Sequence, residues 1–218
     1  MREYLKFYID GQWVDPIGSG TVDLINPATE EISGKIALGS EADVDKAVKA
    51  ARAAFASYSQ TSREEQLELL KAIKSEYEKR LPELAEAITE EMGAPASLAS
   101  SFHTFLGTGH LDTAIAVLEK FAFEEKHGDT LIVKEPIGVC GLITPPQLAA
   151  YSAQILAEIL DAAGVPKGVF NMVQGKGSVI GTALSTHPDV DMISFTGSES
   201  VGVQISKDAA DTVKRVCL

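Results

Sequence analysis

The sequence predicts an α/β fold in which helices flank a parallel sheet, and three stretches carry that reading. Val169 to Val173 is a short β-branched and apolar run that leads into Gly175-x-Gly177-x-x-x-Gly181, after which Val179 to Leu184 continues at helical spacing. Met192 to Phe195 repeats the pattern, with Thr196-Gly197-Ser198 standing where a helix bearing Val201, Gln204 and Ile205 begins. Ile137 to Pro145 is a nearly continuous apolar run, as expected of a strand covered on both faces.

The two glycine turns fall at the carboxyl ends of strands, where open α/β sheets bind ligands. A glycine turn at a helix start lets the backbone approach a phosphate, whose charge the free N–H groups of the first turn accept. Ser198 adds a hydroxyl donor. One such turn alone is ordinary loop punctuation, and the Gly-x-Gly-x-x-x-Gly spacing is one residue longer than the usual dinucleotide fingerprint. Two of them one strand apart favour a ligand site.

The preceding chain reads in order as follows. Tyr8 to Val14 alternates around Asp10-Gly11, a hairpin signal, and Val22 to Thr29 joins a strand to an Asn26-Pro27 turn. Ser40-x-x-Asp43 and Ser62-x-x-Glu65 are capping boxes opening amphipathic helices, the second with Leu67, Leu70, Ile73 and Tyr77 inward. Pro82 starts a third helix and Gly93 stops it. Ala96 to Glu119 is helical, interrupted by Gly107 and Gly109, with Leu98, Phe102, Phe105 and Leu106 among its core positions. Phe121 to Pro136 forms two strands around a Gly128-Asp129 turn, and Ala149 to Ala163 is a helix burying Ile155, Leu156, Ile159 and Leu160.

The 218 residues suffice for a substantial core, and 45% hydrophobic with 23% charged residues is ordinary globular usage. A net charge of −12 without a basic cluster argues against nucleic acid. No apolar run is long enough to span a membrane and no leader precedes Phe7, so a cytoplasmic protein is expected. Cys140 and Cys217 lie in apolar runs and read as buried free thiols, neither of them a nucleophile. His103 and His110 have no carboxylate or cysteine at ligand spacing beside them, so no metal site is expected.

Ala163-Gly164-Val165-Pro166-x-Gly168-Val169-Phe170-Asn171, the following glycine turn and Ser194-Phe195-Thr196-Gly197-Ser198 resemble the cofactor domain of the NAD(P)-dependent aldehyde dehydrogenases. The Tyr8 to Val14 arm and Asn26-Pro27-x-Thr29 resemble the same family in the same order. The resemblance implies a Rossmann-like sheet at 137–218, an amino-terminal arm and helical part at 1–120, and a hairpin at 121–136 that pairs with a partner subunit, hence a homo-oligomer. It implies NAD or NADP as cofactor and an aldehyde as substrate of the complete enzyme. Gly177, Gly181, Gly197 and Ser198 would hold the pyrophosphate, Thr196 would also contact the cofactor, and Val201 would line the adenine pocket. Ile143, Thr144, Pro145 and Phe195 would border the nicotinamide half.

The pattern breaks after Pro145. There the family continues with a Trp-Asn segment, a helix, a strand and a Lys-Pro-Ser-Glu segment, whereas this chain passes straight to Pro146-Gln147-Leu148. One βα element is therefore expected to be missing, and with it the asparagine that holds the oxyanion and the residues that contact the adenosine ribose. Val213 to Leu218 resembles the strand that leads to the family's general-base glutamate, and the nucleophilic cysteine lies further on. No catalytic residue is assigned to the 218 residues. The expected function is thus that of an aldehyde-oxidising dehydrogenase, with an inactive piece that binds nucleotide or self-associates as the alternative.

Overall fold

The computed structural model describes residues 1–145 and 149–218. Pro146, Gln147 and Leu148 lie outside the described residues, and with them the far side of the Pro145-Pro146 junction.

The amino-terminal part begins with β1 (Arg2–Tyr4), β2 (Phe7–Ile9), β3 (Gln12–Val14), β4 (Thr21–Ile25) and β5 (Ile32–Ala37). β2 and β3 form the expected hairpin, and Asp10 and Gly11 both take positive φ, as a type I′ turn requires. β5 pairs with β1 in parallel and with β4 in antiparallel register, giving a three-stranded sheet. Neither β1 nor β5 is anticipated by the sequence reading, because β1 has only three residues and β5 carries Ser33, Gly34 and Lys35 where a β-branched or apolar run would mark a strand.

Three helices follow: α1 (Glu41–Tyr58), α2 (Arg63–Lys79) and α3 (Leu81–Met92). Both capping boxes close as expected, and Gly93 ends α3 in the left-handed conformation. The inward residues of α2 are only half-buried.

Next come α4 (Ala96–Leu98), a π-helical turn (Ala99–His103) and α5 (Thr104–Leu118). Gly107 and Gly109 do not interrupt this rod. The irregularity falls instead at the π turn, and Gly107 lies inside α5 because any larger residue would collide with the Tyr77 hydroxyl, 2.1 Å from where its Cβ would stand. Leu98, Phe102, Phe105 and Leu106 are not core residues either. All four are exposed, Phe105 by 63%, since nothing among the described residues packs on that face.

The hairpin β6 (Glu124–His127) and β7 (Thr130–Val133) stands out from the body, with Leu131, Ile132 and Val133 exposed.

The second sheet is parallel, in the order β10 (Arg215–Cys217), β9 (Met192–Phe195), β8 (Cys140–Ile143). Its helices are α6 (Ala150–Ala162), α7 (Thr182–Thr186), which follows a second π turn at Gly177–Gly181, and α8 (Glu199–Ala210). Val44 and Val48 of α1 pack with Val190, Ile193 and Ile205 under this sheet. α6 packs on the other part instead, with Tyr151, Ile155 and Ile159 against Leu24, Ile36 and Leu84.

Three further expectations fail. Val169 to Val173 does not form a strand, and only Met172 bridges, to Tyr8. β8 is not covered on both faces, since Cys140 and Leu142 are exposed, Leu142 by 67%. Leu156 of α6 is exposed as well. β8 is an edge strand, paired with β9 on one side and with no described strand on the other, as expected where a βα element is missing after Pro145. Cys217, on the opposite edge, is also exposed, and neither thiol is buried as expected. No described helix is long and apolar enough to cross a membrane.

Candidate functional site

The carboxyl ends of β8 and β9 lie side by side. Ile143 is in register with Phe195, and the Thr196 N–H donates to the Ile143 carbonyl at 3.1 Å. This brings Ile143, Thr144 and Pro145 together with Phe195, Thr196 and Gly197. Gly197 is demanded by a close approach, because a Cβ there would lie 2.3 Å from the Phe195 ring.

α8 begins at Ser198. Its side chain makes no cap bond to the helix backbone and instead meets the Ser200 hydroxyl at 3.3 Å. The hydroxyl and the first-turn N–H groups are thus available to an anion. An open concavity of about 530 Å³ is lined here by Ser198, Glu199, Ser200 and Val203. Val201 is exposed on the same turn. Glu199, Ser200 and Val203 were missed in the sequence; their place at i+1, i+2 and i+5 from Ser198, in the first turns of the expected helix, could have found them.

The other glycine turn sits at the head of α7, which packs against α8, with the Ser185 hydroxyl donating to Asp208 at 3.2 Å. A Cβ built on Gly177 or Gly181 would meet nothing within 4 Å, although the Gly181 backbone is buried. Internal packing therefore does not explain these glycines. Open space beside a buried glycine is what close backbone approach by a ligand requires. Lys176 lies exposed between Gly175 and Gly177 and supplies a cation near the turn, while Glu199 places a carboxylate at the rim.

At the opposite end of β8 and β9, Asp191 Oδ2 accepts the Val139 N–H at 2.7 Å and the Arg52 guanidinium at 2.6 Å. The site's strands are thereby pinned at their starts. Partial desolvation by its neighbours, and secondarily the Asp191 charge, push the thiol of the otherwise exposed Cys140 up, so this cysteine is a poor thiolate.

The chain is similar to known proteins in both sequence and fold. The family model described as the aldehyde dehydrogenase family matches residues 13–146 and 144–218. A 3-succinoylsemialdehyde-pyridine dehydrogenase from a Pseudomonas species is 49% identical over 245 aligned positions that take in all of this chain and 51% of that protein. A crystal structure of an aldehyde dehydrogenase from Bartonella henselae superposes with a TM-score of 0.95 at 40% identity, covering 100% of this chain and 52% of that one. A mutant of aldehyde dehydrogenase C from Pseudomonas syringae, complexed with NAD+ and octanal, gives 0.92 at 43% identity, covering 97% and 49%. The chain spans about half the length of these relatives. The break of the family match at 144–146, together with an alignment longer than the 218 residues, places the missing element where the sequence pattern breaks.

Proposed function

The chain belongs to the aldehyde dehydrogenase family, and on that premise we propose that it forms the cofactor-binding part of an enzyme oxidising an aldehyde to a carboxylic acid with NAD(P). The observation that carries this reading is the open space beside the buried Gly181, facing a chain whose packing leaves that glycine otherwise unexplained.

In this reading Gly177, Gly181, Gly197 and Ser198 hold the pyrophosphate, Thr196 stands beside them at the cofactor, and the Ser198 hydroxyl, unused as a cap, donates to it. Val201 lies against the adenine, and Phe195 with Ile143, Thr144 and Pro145 borders the nicotinamide half. The cofactor, when bound, accepts a hydride from the substrate. The residues of this chain bind and orient it; the nucleophile and the general base belong to family segments that these residues do not match. The exposed Leu131, Ile132 and Val133 of the 121–136 hairpin, between the 1–120 and 137–218 parts, favour self-association through that hairpin.

A second reading has its own support. The bare face and edge of β8 mark an incomplete sheet, which favours a chain that binds nucleotide or self-associates without turnover. The intact mass of the natively expressed protein separates the two: a mass more than twice 23.2 kDa supports the enzyme and a mass of 23.2 kDa the second reading, while calorimetric titration with NAD and NADP tests the cofactor assignment, which an absence of binding contradicts.

A further inference from the structure

The carbonyls of Val139 and Ile143 in the β8 run both accept N–H groups on the β9 side, from Met192 at 3.2 Å and from Thr196 at 3.1 Å. Main-chain groups alternate in direction along a strand, so the N–H and C=O of Cys140 and Leu142 point away from β9. Among the described residues no strand pairs with that side. The side chains of Cys140 and Leu142 share one exposed face, Leu142 by 67%, while Gly141 between them is buried.

The two edges of this sheet differ in charge. β10 carries the exposed Arg215 and follows Lys214, and charge of that kind discourages edge pairing. Residues 137–145 carry no charge in a chain of net charge −12. They offer no ion pair to a charged peptide, and a second copy of the chain meets no like charge there. The edge is also its own complement. Turned antiparallel about Gly141, Cys140 pairs with Leu142 of the partner subunit and Leu142 with Cys140 of the partner subunit, which makes main-chain hydrogen bonds on both sides of the axis. Gly141, on the axis, brings no side chain to collide with its mate.

We propose that β8 pairs edge to edge with β8 of a second copy of this chain, joining the two three-stranded sheets across a two-fold axis. This contact is separate from the hairpin contact and does not depend on the cofactor reading.

The test is sedimentation of the 218-residue chain at about 100 μM, a concentration suited to so small a contact. The chain is compared with its Ile132→Lys variant, which disables the hairpin, and with the same variant carrying Leu142→Lys. The Ile132→Lys chain should sediment as a dimer and the double variant as a monomer that melts at the same temperature, because Leu142 is exposed. Hydrogen exchange gives a reading that needs no edge variant: in the Ile132→Lys chain the Cys140 and Leu142 amides should exchange at least about tenfold faster after dilution to about 1 μM. A monomeric Ile132→Lys chain, a dimer that survives Leu142→Lys, or exchange independent of concentration overturns the proposal. Amides that stay protected in a monomer mean that something other than a second copy covers the edge, and overturn it too. A parent and an Ile132→Lys chain of equal mass overturn the hairpin reading alone.

Discussion

Glu91, at the end of α3, caps a different helix: its Oε2 accepts the backbone N–H of Tyr151, in the first turn of α6, at 2.6 Å. The same carboxylate takes the Ser152 N–H at 3.3 Å and the Ser152 hydroxyl at 2.6 Å, and Glu91 is 2% exposed. Ala149, the residue in cap position, provides no side-chain cap of its own. Removing the carboxylate leaves three donors short of their partner, so Glu91→Ala should cost about 3 kcal/mol, read by denaturant unfolding.

The same contact carries a pH dependence. Burial holds the Glu91 carboxyl above the ordinary carboxylate range, against the opposing pull of the hydrogen bonds from Ser152 and Tyr151 and the charge of Arg2. The folded chain therefore binds this proton more tightly than the unfolded one. The stability it contributes is complete below the ordinary value of 4.5 and is lost as pH rises through the higher folded value. Thermal scans of the parent and Glu91→Gln should diverge in favour of the parent as pH falls toward that value. A difference that stays flat with pH contradicts the assignment.

Gly138 adopts φ +125°, and a Cβ there would stand 1.8 Å from Asp191 Oδ2, the atom that receives Val139 and Arg52. Gly138→Ala should destabilise by about 3 kcal/mol, since the position combines backbone strain with loss of the Asp191 contact. Chemical denaturation measures it.

The cysteines offer a direct check on the bare sheet. Both are exposed, so two thiols should react with an aromatic disulfide reagent in the folded chain, Cys140 more slowly because its pKa is raised. Protection of both thiols until unfolding would mean that β8 and β10 are covered.

How far the sequence reveals this molecule varies by element. The helices with capping boxes at Ser40 and Ser62, the Asp10-Gly11 turn and the β9–α8 unit follow from local chemistry, and each forms as read. The failures share a cause that local patterns do not contain. Phe102, Phe105, Leu142 and Leu156 are apolar at the right spacing for a core, but what would bury them is absent from the described residues. At the site, Gly177, Gly181 and Ser198 stand out by type and spacing. Glu91 does not, because its significance lies in a partner found across 60 residues.

In the proposed function the open space at Gly181 and the free hydroxyl of Ser198 receive a dinucleotide. The most direct measurement is calorimetric titration of NAD into the 218-residue chain, its Gly181→Ala variant and its Ser198→Ala variant. Alanine at 181 meets no atom within 4 Å and favours the helix by up to about 1 kcal/mol, so that variant should be at least as stable as the parent. The account predicts saturable binding by the parent and a loss of about tenfold in each variant without loss of stability. Binding that both variants retain at full strength, or no binding by the parent, would contradict it.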